Sequence, residues 1–188
     1  MSDRLIVEDA SRVVAVCSSA SHGFSKQPQA AIRLLAGLGV EGDAHCGTTV
    51  QHVYLKRRNP LAPNRMQVHL LAAELLAELA DAGYDIAPGQ LGENITTRGV
   101  DLVHLPLGTK LHLGDDAVVE LTGLRSPCVQ IEKFRPGLLR QVVQRNDTQK
   151  VAARAGVMAI VLQSGVVARD ANVRIALPPL PHIALAII

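Results

Sequence analysis

The chain has 188 residues, 48% of them apolar, 19% charged and only 2% aromatic, with a formal net charge of +2. That balance suits one compact domain over residues 1–188 with an aliphatic core, and argues against a disordered or fibrous chain. With no tryptophan and dispersed basic residues, neither a stacking platform for single-stranded nucleic acid nor a basic stripe for a duplex is expected.

In chain order, "MSDRLIVEDASR" alternates in charge and lacks the apolar run of a signal peptide. "RVVAVCSS" (Arg12 to Ser19) is β-branched and reads as a strand running into a polar loop, Ser19 to Pro28, long enough to hold a ligand. Residues 30–47 pass from an apolar run into a glycine-rich turn containing Asp43 and His45. "KRRNPLAPNR" (56–65) predicts a mobile, proline-broken loop, its basic cluster solvated rather than phosphate-binding. "MQVHL" alternates like a strand. The segment from Leu70 to Gly83 carries Leu71, Leu75 and Leu79 opposite Glu74 and Glu78, the pattern of an amphipathic helix that Gly83 ends.

Residues 109–124 alternate on both sides of Gly114-Asp115 and predict a hairpin. Residues 157–177 predict a second one, with turns near Ser164-Gly165 and Asp170, and a short helix is placed between them over 137–146. Strands therefore dominate, and a closed or nearly closed β-barrel is the expected way to remove their edges. No stretch approaches the roughly 20 apolar residues of a membrane span. Three widely spaced cysteines, Cys17, Cys46 and Cys128, predict no disulfide framework and fit a reducing compartment, the cytoplasm.

Several segments carry possible chemistry. "GQLGENITTRGVDL" (Gly89 to Leu102) offers backbone N–H groups and hydroxyls for a phosphate or polar heterocycle, yet reads equally as a structural turn. Asp43, His45 and Cys46 in "GDAHCG" lack a second ligand cluster, so a self-bonding polar turn outweighs a zinc site. Cys128 in "LTGLRSPCVQIEKF" follows Arg125 at the end of a strand, where a guanidinium favours the thiolate that attacks electrophiles or binds a soft metal. The competing reading is an inert, buried thiol. His52, His69, His104 and His112 are read as hydrogen-bonded structural residues.

Together, "GLGVEGDAHCG", "QVHLLAAELL", "GQLGENITTRGVDLVHLPLGTKLHLG", "LTGLRSPCVQIEKF" and "GVMAIVLQSGVVARDANV" resemble, in order, the MOSC domain family. That module occurs at the C-terminus of molybdenum-cofactor sulfurases and as small free-standing bacterial proteins. The resemblance covers roughly residues 12 to 175, and it implies a mostly β fold with a few helices, the MOSC-type β-barrel, and a pocket for a molybdenum–pterin cofactor. In that reading Cys128 ligates the metal and, with Arg125, serves catalysis. Lys26 pairs with the cofactor phosphate, and Asn94 and Thr96 hydrogen-bond pterin or phosphate. Arg125 contacts an anion, Asp43 orients a neighbour, and His45 lines the pocket.

Relatives that bind this cofactor reduce N-hydroxylated compounds to amines. The resemblance thus implies an oxidoreductase acting on a small-molecule N–O bond, with electrons from an external flavoprotein or iron–sulfur protein. Neither nucleic acid nor membrane is an expected partner. The alternative is a non-catalytic carrier of the cofactor, or of sulfur as a persulfide on Cys128. A third reading is a barrel for an unrelated small ligand.

Overall fold

Short aliphatic runs punctuated by glycine turns give a mostly β protein, seen in a computed structural model that describes residues 4–6, 11–145 and 151–188. Nine strands form the main sheet, in spatial order β1 (Arg4–Ile6), β14 (Val173–Leu177), β8 (Lys110–Leu113), β9 (Ala117–Leu124), β12 (Val157–Gln163), β6 (Val68–Ala72), β7 (Ile95–Arg98), β2 (Arg12–Ser18) and β3 (Gln27–Gln29). A second sheet joins β13 (Gly165–Ala168), β4 (Ala31–Leu35) and β5 (Gly39–Val40). The pair β10 (Val143–Arg145) and β11 (Val151–Ala153) forms a third. Neighbours are antiparallel except β6 and β7, which run parallel. Such a pair needs a crossover, and α2 (Ala73–Asp81) lies in it.

The ladder does not close into a continuous barrel. Beyond β7, the free side of β2 is divided: its second half pairs β3, while Val13 bonds Ala171 and Asp170, and Val173 donates to the Ser11 carbonyl. A few bonds therefore bridge the seam. The hairpin expected over 157–177 has its turns in place, with Asp170 at φ 65°, but not its pairing. Both edges of β12 are taken by β9 and β6, so β13 leaves to pair β4.

The hairpin of β8 and β9 forms around Gly114 as the alternation predicts. In α2, Leu75, Leu76 and Leu79 are buried, and Gly83 at φ 88° lets Tyr84 and Gly83 donate to the carbonyls of Leu79 and Ala80. That is the Schellman ending in which glycine avoids the Cβ clash. Residues 56–65 differ from expectation: the first three belong to the exposed helix α1 (Val53–Arg58). The rest is pinned by Asn64, whose Nδ2 donates to the carbonyls of His45 and Gly47 at 2.9 and 3.0 Å. The helix expected over 137–146 shortens to α4 (Leu138–Gln141) before the chain enters β10; Asn146 lies outside the described residues. The helix α3 (Val129–Phe134) was not foreseen, its six residues being too few to show a period.

The main apolar cluster includes Leu34, Leu70, Ile95, Leu111 and Leu121. A second, with Leu71, Leu79, Leu91, Ile131 and Leu138, packs the helices against the sheet. Leu70 and Leu71 fall on opposite faces of β6, so this strand is covered on both sides, and the polar His69 within it and Gln67 just before it are buried too. Among the described residues no helix is long and apolar enough to cross a membrane.

Candidate functional site

The end of β2, the start of β7 and the end of β9 meet at one end of the sheet, as the pairings Val16 with Ile95, Leu70 with Ile95 and Val157 with Leu124 require. The residues that the family resemblance assigns to the cofactor pocket sit on the segments leaving or entering that end, with Thr96 in β7 itself. The loop Ser19–Lys26 follows β2, Asp43 and His45 follow β5, Glu93 and Asn94 precede β7, and Arg125 to Cys128 follow β9.

Asp43 is the centre of one half. Its side chain is 2% exposed and ion-pairs with Lys26, itself 6% exposed. The same Oδ2 accepts the Ser19 N–H and Asn94 Nδ2, both at 3.1 Å. Oδ1 accepts the His45 N–H at 2.9 Å and faces His45 Nδ1 at 3.2 Å. Burial alone would raise the carboxyl pKa, but the His45 hydrogen bond and the Lys26 charge outweigh it and hold the group well below the usual carboxylate range. Asn94 is fully engaged: Nδ2 also donates to the Cys17 carbonyl at 3.1 Å, and Oδ1 accepts the His69 N–H at 3.2 Å. Thr96, wholly buried, donates to Glu93 Oε1 at 3.2 Å. In this arrangement Asn94 and Thr96 brace the site from behind.

Arg125 and Cys128 form the other half. The Arg125 guanidinium lies 5.9 Å from the Phe24 ring centroid, and its Nη1 is buried without a hydrogen-bond partner among the described residues. Burial lowers its pKa, while the nearby Cys128 sulfur and Glu93 carboxyl act in the opposite sense. Cys128, half-buried, occupies the N-cap of α3 and spends no side-chain atom on capping. The other two thiols fit their inert readings. Cys17 is wholly buried, and desolvation, then the Glu93 charge, pushes it up to about 11; burial also raises Cys46.

The loop joining the halves is held by glycines. Gly92 has φ 84°, and a Cβ there would lie 2.5 Å from the Phe24 carbonyl oxygen; at Gly89, φ 85°, it would lie 2.7 Å from that of Lys26. Backbone thus approaches backbone where no side chain fits. This is the structural use of the two glycines in "GQLGENITT".

Sequence reasoning assigned nothing to Glu93, His22 or Phe24, though all lie in quoted segments. Glu93 is fully buried. Its Oε1 accepts the Gly89 N–H at 2.6 Å, its Oε2 has no partner among the described residues, and desolvation raises its pKa. The His22 and His45 rings meet nearly perpendicular, centroids 5.1 Å apart. His69 is a buried structural histidine as expected, with Nε2 2.9 Å from the Ala155 carbonyl and desolvation lowering its pKa to about 3. Among the described residues no three His, Cys, Asp or Glu side chains converge as a metal-ligand set. A surface hollow of about 640 Å³ lined by Glu132, Gly137, Leu139, Arg140 and Val143 contains none of the candidate residues.

Fold and site together define a mostly β protein with a polar, partly cationic site at one end of its main sheet. A model described as "MOSC domain" matches residues 46–174, well over half of the chain, and the chain belongs to that family. Lys26, Asp43 and His45 precede the matched span. Among solved structures, the YUAD protein from Bacillus subtilis is similar at TM-score 0.75 and 19% identity, covering 95% of this chain and 100% of that one. YiiM from Geobacillus stearothermophilus is similar at TM-score 0.57 and 18% identity, covering 96% and 80%. YiiM from Escherichia coli gives 0.59 and 18%, covering 92% and 73%. At such identities the likeness is one of fold. No curated protein sequence matches the chain.

Proposed function

We propose that this MOSC domain protein binds a molybdenum–pterin cofactor at the end of its main sheet and reduces N-hydroxylated compounds there, with electrons from an external flavoprotein or iron–sulfur protein. One observation carries the reading: the buried Nη1 of Arg125, without a partner among the described residues, three residues before a half-buried cysteine. A buried guanidinium N–H without an acceptor is costly, and an anionic ligand satisfies it with a charge-assisted bond. The donor set fits the group. Cys128 supplies a soft sulfur for molybdenum, and Arg125 a planar fork for an anion. Lys26, one of whose three N–H donors goes to Asp43, supplies a cation for a phosphate.

When bound, the group supplies two-electron chemistry that accepts the oxygen of an N–O bond. The chain holds it in place. Phe24 lies against the guanidinium of Arg125, and Asn94 fixes the Asp43 carboxylate that ion-pairs with Lys26. Three free cysteines favour a reducing compartment, and hence the cytoplasm, as the place of action.

Protein purified from a cofactor-competent host is expected to carry molybdenum and pterin, and Cys128→Ala to lose the metal while keeping its fold by circular dichroism. Metal at full occupancy in Cys128→Ala would contradict the assignment. Reduction of an amidoxime or a hydroxylaminopurine by the loaded protein with an artificial donor supports catalysis. A persulfide mass shift on Cys128 without such reduction supports the sulfur-carrier role instead.

A further inference from the structure

The donors around Asp43 decide the state of a neighbouring histidine. Lys26, Ser19 and Asn94 occupy Oδ2, and the His45 N–H occupies one site on Oδ1, so the second approach to Oδ1, from His45 Nδ1 at 3.2 Å, meets an ionised acceptor. A carboxylate only accepts, so the Nδ1 facing it carries the proton, and the lone pair of neutral His45 is on Nε2. Asp43 is 2% exposed and His45 28%, so the orienting group is inside and the imidazole reaches the surface of the site.

That surface adjoins the Arg125 half. The His45 ring packs perpendicular to that of His22, two residues before the Phe24 that lies against Arg125. The charged or titratable groups around the imidazole are Asp43 and its partner Lys26, His22 from the loop after β2, and His52 at the N-cap of α1. His52 senses both His45 and Arg125, and burial with these neighbours lowers its pKa.

We propose that His45, oriented by Asp43, is the proton donor to the departing oxygen in the N–O reduction described above, a role that rests on that functional reading. The overall change is R–NHOH plus two electrons and two protons to R–NH2 and water. The N–O bond breaks, the electrons come from the external reduced donor, and one proton passes from Nε2 of protonated His45 to the leaving oxygen. The second proton reaches nitrogen from solvent, which also reprotonates His45. Asp43 is the positioning residue: it fixes the ring.

Two measurements on the full chain test this. In cofactor-free protein, long-range proton–nitrogen correlation of the imidazoles is expected to show His45 as the Nδ1–H tautomer, and Asp43→Asn to lose that preference. In loaded protein with reduced methyl viologen as donor, His45→Gln is expected to lower kcat about 100-fold. KM and molybdenum content should stay unchanged, and the fall of kcat with rising pH should flatten. The variant keeps the backbone bonds from His45 N–H to Asp43 and from Asn64 to the His45 carbonyl, so folding is preserved. A His45→Gln protein with wild-type kcat and pH profile, or an Nε2–H tautomer in the wild type, overturns the proposal. Wild-type protein that holds molybdenum yet reduces no N-hydroxylated compound sinks the functional reading and this role with it. An active wild type beside an indifferent His45→Gln sinks this inference alone.

Discussion

At the scale of the residue, burial separates groups that look alike in sequence. His69 and His45 are both histidines beside hydrophobic runs, but His69 is 5% exposed and held neutral, its pKa lowered to about 3. The unfolded chain takes up that proton near 6.5, so between these values the unfolded state binds one proton more than the folded state, and stability rises with pH. The slope is about 1.4 kcal/mol per pH unit. Urea unfolding of wild type and His69→Gln between pH 6 and 4.5, above most carboxylate titrations, is expected to show a shallower slope in the variant by about that amount. Equal slopes would mean that His69 protonates inside the folded protein. The sequence placed His69 correctly as structural because it falls in an alternating run. It gave no sign that Glu93 would lose all contact with water, since a Gly-Glu-Asn stretch reads as surface until the loop Ser19–Lys26 is laid over it.

At the scale of the element, α2 and the hairpin of β8 and β9 were legible because each signal is local. Leu75 and Leu79 opposite Glu74 and Glu78, a C-terminal glycine and a turn glycine suffice, whatever they pack against, although Leu71, read with that helix face, belongs to β6 and the helix starts only at Ala73. The loop Ser19–Lys26 was legible only as a loop. Its position is set from elsewhere, by Gly89 and Gly92, where backbone meets backbone. Gly92→Ala places a Cβ 2.5 Å from the Phe24 carbonyl oxygen at a φ of 84°. The left-handed conformation alone costs about 1–2 kcal/mol for a non-glycine residue, so the expected total loss exceeds about 2 kcal/mol once the loop shifts. Chemical denaturation reads the stability, and the ring proton shifts of Phe24 read the lost contact with Arg125. A stable variant with unchanged Phe24 shifts would show that the close approach is relaxed in solution.

At the scale of the whole molecule, the C-terminal residues join the core rather than trailing from it. Leu185 is 8% exposed and belongs to the main cluster, while Ala186 and Ile188 exchange backbone bonds with Leu124, one residue before Arg125. Truncating a core leucine costs about 2–5 kcal/mol. Leu185→Ala should therefore unfold at clearly lower urea concentration, whereas Leu180→Ala, at a residue 80% exposed, should change stability by no more than about 0.5 kcal/mol. Equal effects would place the tail off the core.

By itself the sequence determined the mostly β class, the main helix, the hairpin of β8 and β9 and the order of boxes that marks the family. The helix and the hairpin, like each box taken singly, depend on neighbours within about a dozen residues, where periodicity and turn chemistry act directly. Only the tertiary structure decided that β13 leaves β12 for β4, because both edges of β12 are already filled. It alone also decided that Lys26, Asp43, Asn94 and His45 become one bonded cluster, and that Arg125 keeps a buried N–H without a partner among the described residues. Those outcomes rest on strand ends far apart in the chain meeting at one end of a sheet, and on the water they exclude when they meet.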